Sequence, residues 1–179
     1  LNLSENRLTD ISALAGLVKL NGLALNKNQL TDVSALAALK QLKELDLMEN
    51  KITDASALGG LTRLEVLNLK DNNLTDIGPL AGLKQLTELD LVGNKIADVR
   101  ALGGLTRLET LSLGRNQLTE VKALAGLKQL KTLGLQYNSR IDMNAFKSGF
   151  TNLQELYVHK NGLSDISALA GLKQLKVLT

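Results

Sequence analysis

The chain has 179 residues but no cysteine, no tryptophan and one histidine, and aromatics fill only 2% of its positions. Without cysteine there are no disulfides and no thiolate metal ligands, and a Cys/His catalytic pair is impossible. A single histidine also argues against a zinc cage. The lack of cysteine leaves the compartment open, because exported proteins can lack it too. No apolar run approaches the roughly 18 residues that a membrane span needs, so no membrane insertion is expected. The glycine pairs Gly59-Gly60 and Gly103-Gly104 are not followed by Lys-Ser/Thr, which excludes a nucleotide loop. No cofactor and no metal are expected. The chain begins LNLSEN and ends LKVLT, partway through a pattern. It is read as a fragment of one domain spanning 1–179 and lacking both caps, so a missing leader says nothing about targeting.

What is present is a repeat. Asparagine recurs every 22 residues from Asn6 through Asn28, Asn50, Asn72, Asn94, Asn116 and Asn138, and then at Asn161 after 23. A Leu-x-Leu pair stands before each one, from Leu1/Leu3 to Leu133/Leu135, with Leu156/Val158 as the last. The consensus is LxxLxLxxNxLTDIxALxxLxx, in about eight copies. A weaker period of 44 pairs the units, through the recurring KQL.ELDL and LTRLE segments.

This pattern resembles the leucine-rich repeat. Its unit length and its LTDI.AL..L second half look most like the bacterial internalin and phosphatase-regulator subclass. The resemblance covers the whole chain. It implies a curved, right-handed α/β repeat solenoid with a parallel sheet on its concave side. It also implies a bacterial protein, at the cell surface or secreted.

The residues give the same architecture independently. In ELDLM, from Glu44 to Met48, leucine alternates with polar residues, the period of a strand buried on one face. One strand cannot bury its own leucines, so the units must stack, one layer per repeat. The turn after each strand leaves backbone groups without ladder partners. An asparagine side chain both donates and accepts, so Asn28, Asn50, Asn72, Asn94, Asn116, Asn138 and Asn161 are expected to form a structural ladder. In the second half of the unit, Val121, Leu124, Leu127 and Leu130 are spaced by 3, which fits 3₁₀ turns or an extended path.

The seventh unit departs from this. Met143, Phe146, Phe150 and Leu153 are spaced 3, 4, 3, because FKSGF carries one residue more than LAGL. That is the α period, so the spacing predicts one α-helical segment on the convex side near 143–150, with Asn144 or Asp142 as N-cap. Both phenylalanines are expected in the core. Arg140 stands where Leu or Ile normally follows the asparagine, so Ile141 is expected to take the core place.

Outward-facing strand positions carry the candidate binding residues. Glu44, Asp46, Glu88 and Asp90 form an acidic lane around Asn68 and Lys70, facing either solvent or a polar or basic ligand. On an open sheet, such carboxylates are expected to keep ordinary pKa values, which speaks against acid/base catalysis. Cross-strand pairs are expected between Lys43 and Glu65 and between Glu109 and Lys131. Lys40, Arg63, Lys84, Arg107, Lys128 and Lys173 form a basic row along one edge, just before the strands. Without interleaved aromatics, that row reads as a solvated edge and not a phosphate track, so no nucleic-acid partner is expected. Tyr137, Tyr157 and His159 are the unusual residues left over. Tyr157 covers the gap at Gly134, or else the three form an aromatic contact spot near the acidic lane.

The expectation is a monomeric, non-enzymatic module that binds another protein through the concave sheet. An intracellular regulatory or scaffold domain, and a specificity domain attached to an enzyme, are the alternatives.

Overall fold

The computed structural model describes residues 1–179 and contains one sheet of eight parallel strands in sequential order. The strands are β1 (Gly22–Ala24), β2 (Glu44–Asp46), β3 (Val66–Asn68), β4 (Glu88–Asp90), β5 (Thr110–Ser112), β6 (Thr132–Gly134), β7 (Glu155–Tyr157) and β8 (Val177–Leu178). Each pairs with the next repeat in constant register, so Leu45, Leu67, Leu89 and Leu111 stand side by side. These central leucines are at most 2% exposed and belong to one continuous cluster of 49 buried residues. Each such side chain contributes about 1.5–3 kcal/mol of burial. This is the stacked parallel solenoid, one strand per repeat, that the 22-residue period predicts.

The outer wall is made of 3₁₀ helices, one per repeat, from Ser12–Gly16 to Ser167–Gly171. The repeated spacing of three puts one leucine of each of the first six, such as Leu36, Leu80 and Leu124, into the core. The aspartate of each LTDI segment sets the start of the helix. Asp32 Oδ1 accepts the Ser34 amide at 2.7 Å, and Asp54 and Asp98 repeat the contact on Ser56 and Arg100. Hydrogen bonds from the Ser56 hydroxyl and amide hold the Asp54 carboxyl below the usual carboxylate range. The glycine pairs serve packing. A Cβ on Gly59 would stand 2.8 Å from the Pro79 carbonyl oxygen, and one on Gly103 would stand 2.6 Å from that of Ala123.

The asparagines form the ladder. Asn50 Nδ2 donates to the carbonyls of Leu25 (3.0 Å) and Leu47 (3.1 Å), and its Oδ1 accepts the Leu30 amide at 3.0 Å. The same three contacts recur at Asn72, Asn94 and Asn116. The residue before each ladder asparagine lies in the left-handed region, from Lys27 (φ 55°) to Lys160 (φ 61°). Only Gly93 meets that requirement with a glycine ahead of its asparagine.

The seventh repeat does not form the α-helical segment expected near 143–150. It keeps a 3₁₀ helix, Met143–Lys147, capped by Asp142, whose side chain accepts the Asn144 amide. The extra residue is absorbed downstream, where Phe150 takes a left-handed φ of 58°. Gly149 explains why the helix does not continue. A Cβ there would lie 2.9 Å from Ala125 Cα, so the backbone crosses the preceding repeat too closely for a wider coil. The turn returns Phe150 to the core, where it stacks on Phe146 with ring centroids 4.7 Å apart. Ile141 is buried, in the core place that Arg140 leaves.

Candidate functional site

All nine candidate residues lie on the open side of the sheet or on the turn that follows a strand. Register brings Asp46, Asn68 and Asp90 into one row across β2, β3 and β4, and Glu44 and Glu88 into another, with Val66 between them. Like charges thus stand two strands apart. The two rows do different work. Asp46, Asn68 and Asp90 each turn a side-chain oxygen back onto the amide two residues on, at 3.0, 3.1 and 2.9 Å. They are strand-exit caps as much as surface groups. Glu44, Glu88 and Lys70 make no side-chain hydrogen bond or ion pair, so their charges are available. Asp90 departs from the ordinary pKa expected of it. Burial pushes its carboxyl up against the opposing pull of the Val92 amide and Lys70, and Asp71 and Asp46 add to the rise. The expected cross-strand pairs form, with Lys43 Nζ to Glu65 at 2.9 Å and Lys131 Nζ to Glu109 at 2.5 Å. Both are exposed, so solvent screening leaves them little net effect on stability.

The aromatic residues gather two to three strands away, on the turn after β6, on β7 and on the turn after β7. At about 4.8 Å per strand that is roughly 10–14 Å from the acidic lane. Tyr137 and His159 meet edge to face with centroids 5.3 Å apart. The Arg115 guanidinium lies 5.5 Å from the Tyr137 ring centre, a cation–π contact. Tyr157 belongs to a different set. Its hydroxyl donates to Glu155 Oε2 at 3.0 Å, and that bond holds the hydroxyl proton on, raising the pKa. The gap at Gly134 is approached by Gln136, whose amide lies 2.6 Å from where a Cβ on Gly114 would stand and 3.1 Å from one on Gly134. Its Oε1 is buried without a partner.

Arg115, Gln136 and Glu155 escape a reading that looks for rare residue types. A positional signal existed for Arg115, since it stands immediately before Asn116 as Tyr137 stands before Asn138. Side chains at that position in adjacent layers are neighbours.

The basic row is also more structured than a single repeated position. Arg63 and Arg107 stand one residue nearer the strand than Lys40, Lys84 and Lys128. The arginines reach back to Gln41 and Gln85, while Lys84 reaches forward to the Gly104 carbonyl at 3.2 Å. These cations are tied along the edge and do not form a uniform track. The side chains contain no group of three or more His, Cys, Asp or Glu placed to hold a metal ion, and no helix is long and apolar enough to cross a membrane.

Comparison with known proteins agrees with this geometry. A leucine rich repeat family profile matches residues 41–96, and a two-copy leucine rich repeat profile matches 1–38, 18–60 and 106–148. No curated protein sequence matches the chain. Among solved structures, an internalin (inlF) from Listeria monocytogenes superposes with a TM-score of 0.95 at 37% identity, over 99% of this chain and 52% of that one. An internalin C2 (inlC2) from the same organism gives 0.94 at 38% identity, over 99% of this chain and 79% of the other. The chain therefore spans about half the length of the first of these relatives. With the asparagine ladder, the sequential parallel sheet and these matches together, the chain belongs to the leucine-rich repeat family, in its bacterial internalin-like branch.

Proposed function

We propose that the chain is a non-enzymatic recognition module that binds a partner protein through the concave face of its sheet. One observation carries this reading. Glu44, Glu88 and Lys70 project from the open face with no bond to the rest of the protein. Most other acidic side chains are spent on caps or ion pairs, as at Asp32, Asp54, Asp98, Glu65 and Glu109. Charged groups held on a rigid sheet, with their hydrogen-bonding capacity free, suit complementary recognition more than chemistry. The aromatic end of the face, with Tyr157 on β7 and Tyr137 and His159 beside it, adds the residue types that dominate contact energy. Acid/base catalysis finds no support, because the acidic side chains lie along an open sheet face and not in a closed pocket around a substrate.

The test uses a partner selected from a displayed protein library for binding to the wild-type chain. Tyr157→Ala, and separately Glu44→Lys with Glu88→Lys, should each weaken that partner about tenfold or more while leaving Tm nearly unchanged. Lys122→Glu, on the outer wall, should leave affinity unchanged. Full affinity in both concave variants, with loss in the outer-wall variant, would sink the proposal.

A further inference from the structure

The ladder has one break. In every earlier repeat, the asparagine Oδ1 accepts the amide of the residue two after the preceding ladder asparagine, from Leu8 on Asn28 to Leu118 on Asn138, at 2.9–3.0 Å. Arg140 should supply that amide to Asn161. Instead Asn161 Oδ1 takes the amide of Asn138, at 2.7 Å. A second rung slips with it. The residue after each asparagine normally donates to the preceding layer, as Gln117 does to the Ile96 carbonyl at 2.9 Å. At this point Asp142 donates to Thr119 at 2.8 Å instead, and the amides of Ser139, Arg140 and Gly162 make no hydrogen bond within the chain. The turn peels away from its neighbour. Beside it, between the last two repeats on the outer side, lies an open groove of about 490 Å³, lined by Arg140, Asp142, Lys147, Gly162 and Asp165 among others.

The charges around this groove are unevenly engaged. Asp142 already accepts the Asn144 amide at 2.9 Å, and Asp165 accepts the Ser167 amide and hydroxyl at 2.7 and 2.9 Å. Lys147 acts on Asp165 from a distance, through its charge alone. Arg140 and Lys147 are exposed and form no ion pair. The groove thus offers a guanidinium free for bidentate contact and backbone donors free to complete it. Its volume accommodates one or two side chains.

We propose that this broken-ladder groove is a second docking surface, apart from the concave face, and that its occupant is an acidic segment of a partner protein. A glutamate or aspartate of that segment seats its carboxylate on the Arg140 guanidinium, with amides of the peeled turn as further donors.

The test is an amide-resolved NMR titration of the ¹⁵N-labelled chain with the blocked peptide acetyl-Glu-Asp-Glu-amide. Its neutral counterpart acetyl-Gln-Asn-Gln-amide and inorganic phosphate are the control ligands. The acidic peptide should shift Ser139, Arg140 and Gly162 first and saturably, and the neutral peptide should shift none of them. Arg140→Gln should weaken the acidic peptide about tenfold, and Arg140→Lys should restore only part of the loss, since an ammonium cannot contact both oxygens. Arg140 is exposed, so the variant spectra away from the groove should match wild type and confirm an intact fold. Shifts that follow Lys40, Lys84 and Lys128, equal binding by Arg140→Gln, or equal effects from inorganic phosphate would each overturn the proposal.

Discussion

Replacing Asn94 by alanine measures what one rung of the ladder holds. Asn94 Nδ2 donates to the carbonyls of Leu69 (3.0 Å) and Leu91 (3.1 Å), and Oδ1 accepts the Leu74 amide at 2.9 Å. The losses are unequal, because the carbonyls are shared between rungs. Leu69 O keeps Asn72 as a donor at 3.1 Å, and Leu91 O keeps Asn116 at 2.9 Å. Only the Leu74 amide loses its sole partner, and Leu74 is fully buried. One orphaned buried donor costs about 1–3 kcal/mol, and each thinned carbonyl adds well under that. The expected total is therefore about 2–4 kcal/mol, smaller than three independent bonds to buried groups would give. With a urea slope of about 2 kcal/mol/M, the midpoint should fall by roughly 1–2 M.

Asn28→Ala supplies the internal control. It removes the same kind of contacts, but the amide it strands belongs to Leu8, which is only half-buried, so water can replace the lost acceptor. It should cost about a kcal/mol less than Asn94→Ala. Urea titrations followed by circular dichroism, with the slope checked for loss of two-state behaviour, test both variants. An unchanged midpoint for Asn94→Ala would refute the ladder energetics. Equal losses at the two sites would refute the claim that burial of the stranded amide sets the cost.

Two further perturbations follow from local geometry. Gly149→Ala puts a Cβ 2.5 Å from Ala125 Cβ and should cost about 1–3 kcal/mol in a thermal or urea melt. Gly126→Ala, at the corresponding place one repeat earlier, meets no atom within 4 Å and should cost nothing; equal effects would discredit the close-crossing account of the seventh repeat. Asp90→Asn should raise the midpoint at pH 7, because burial raises the folded-state pKa of Asp90 and so penalises its charged form. A raised acid pKa means the penalty applies above that pKa and fades as pH falls through it, so wild type and variant should converge in acid. A gain that persists or grows as pH falls would show that charge burial is not its source.

How much the sequence reveals depends on whether a feature repeats. The strands, the ladder and the Lys43–Glu65 pair follow from period and alternation, because every layer imposes the same demand on the same position. The left-handed residue before each asparagine repeats too, yet it is hidden, since Lys27, Glu49, Asp71 and Arg115 share no residue type that declares a positive φ. The caps formed by Asp46, Asn68 and Asp90 are hidden for a related reason. An acidic or amide side chain on a strand looks the same whether it faces a ligand or its own backbone.

The seventh repeat shows the sharper limit. The spacing Met143, Phe146, Phe150, Leu153 is satisfied equally by an α-helix and by a 3₁₀ helix followed by one left-handed residue. The choice falls to a contact with Ala125, a residue of the preceding layer. Arg140 in a leucine slot is visible at once. Its consequence is not, because an unpaired amide becomes apparent only when each donor is matched to an acceptor 20 or more residues away. The two irregularities of this repeat are thus settled in different places: the extra residue is taken up at Phe150, against the preceding layer, and the ladder breaks at the turn that carries Arg140.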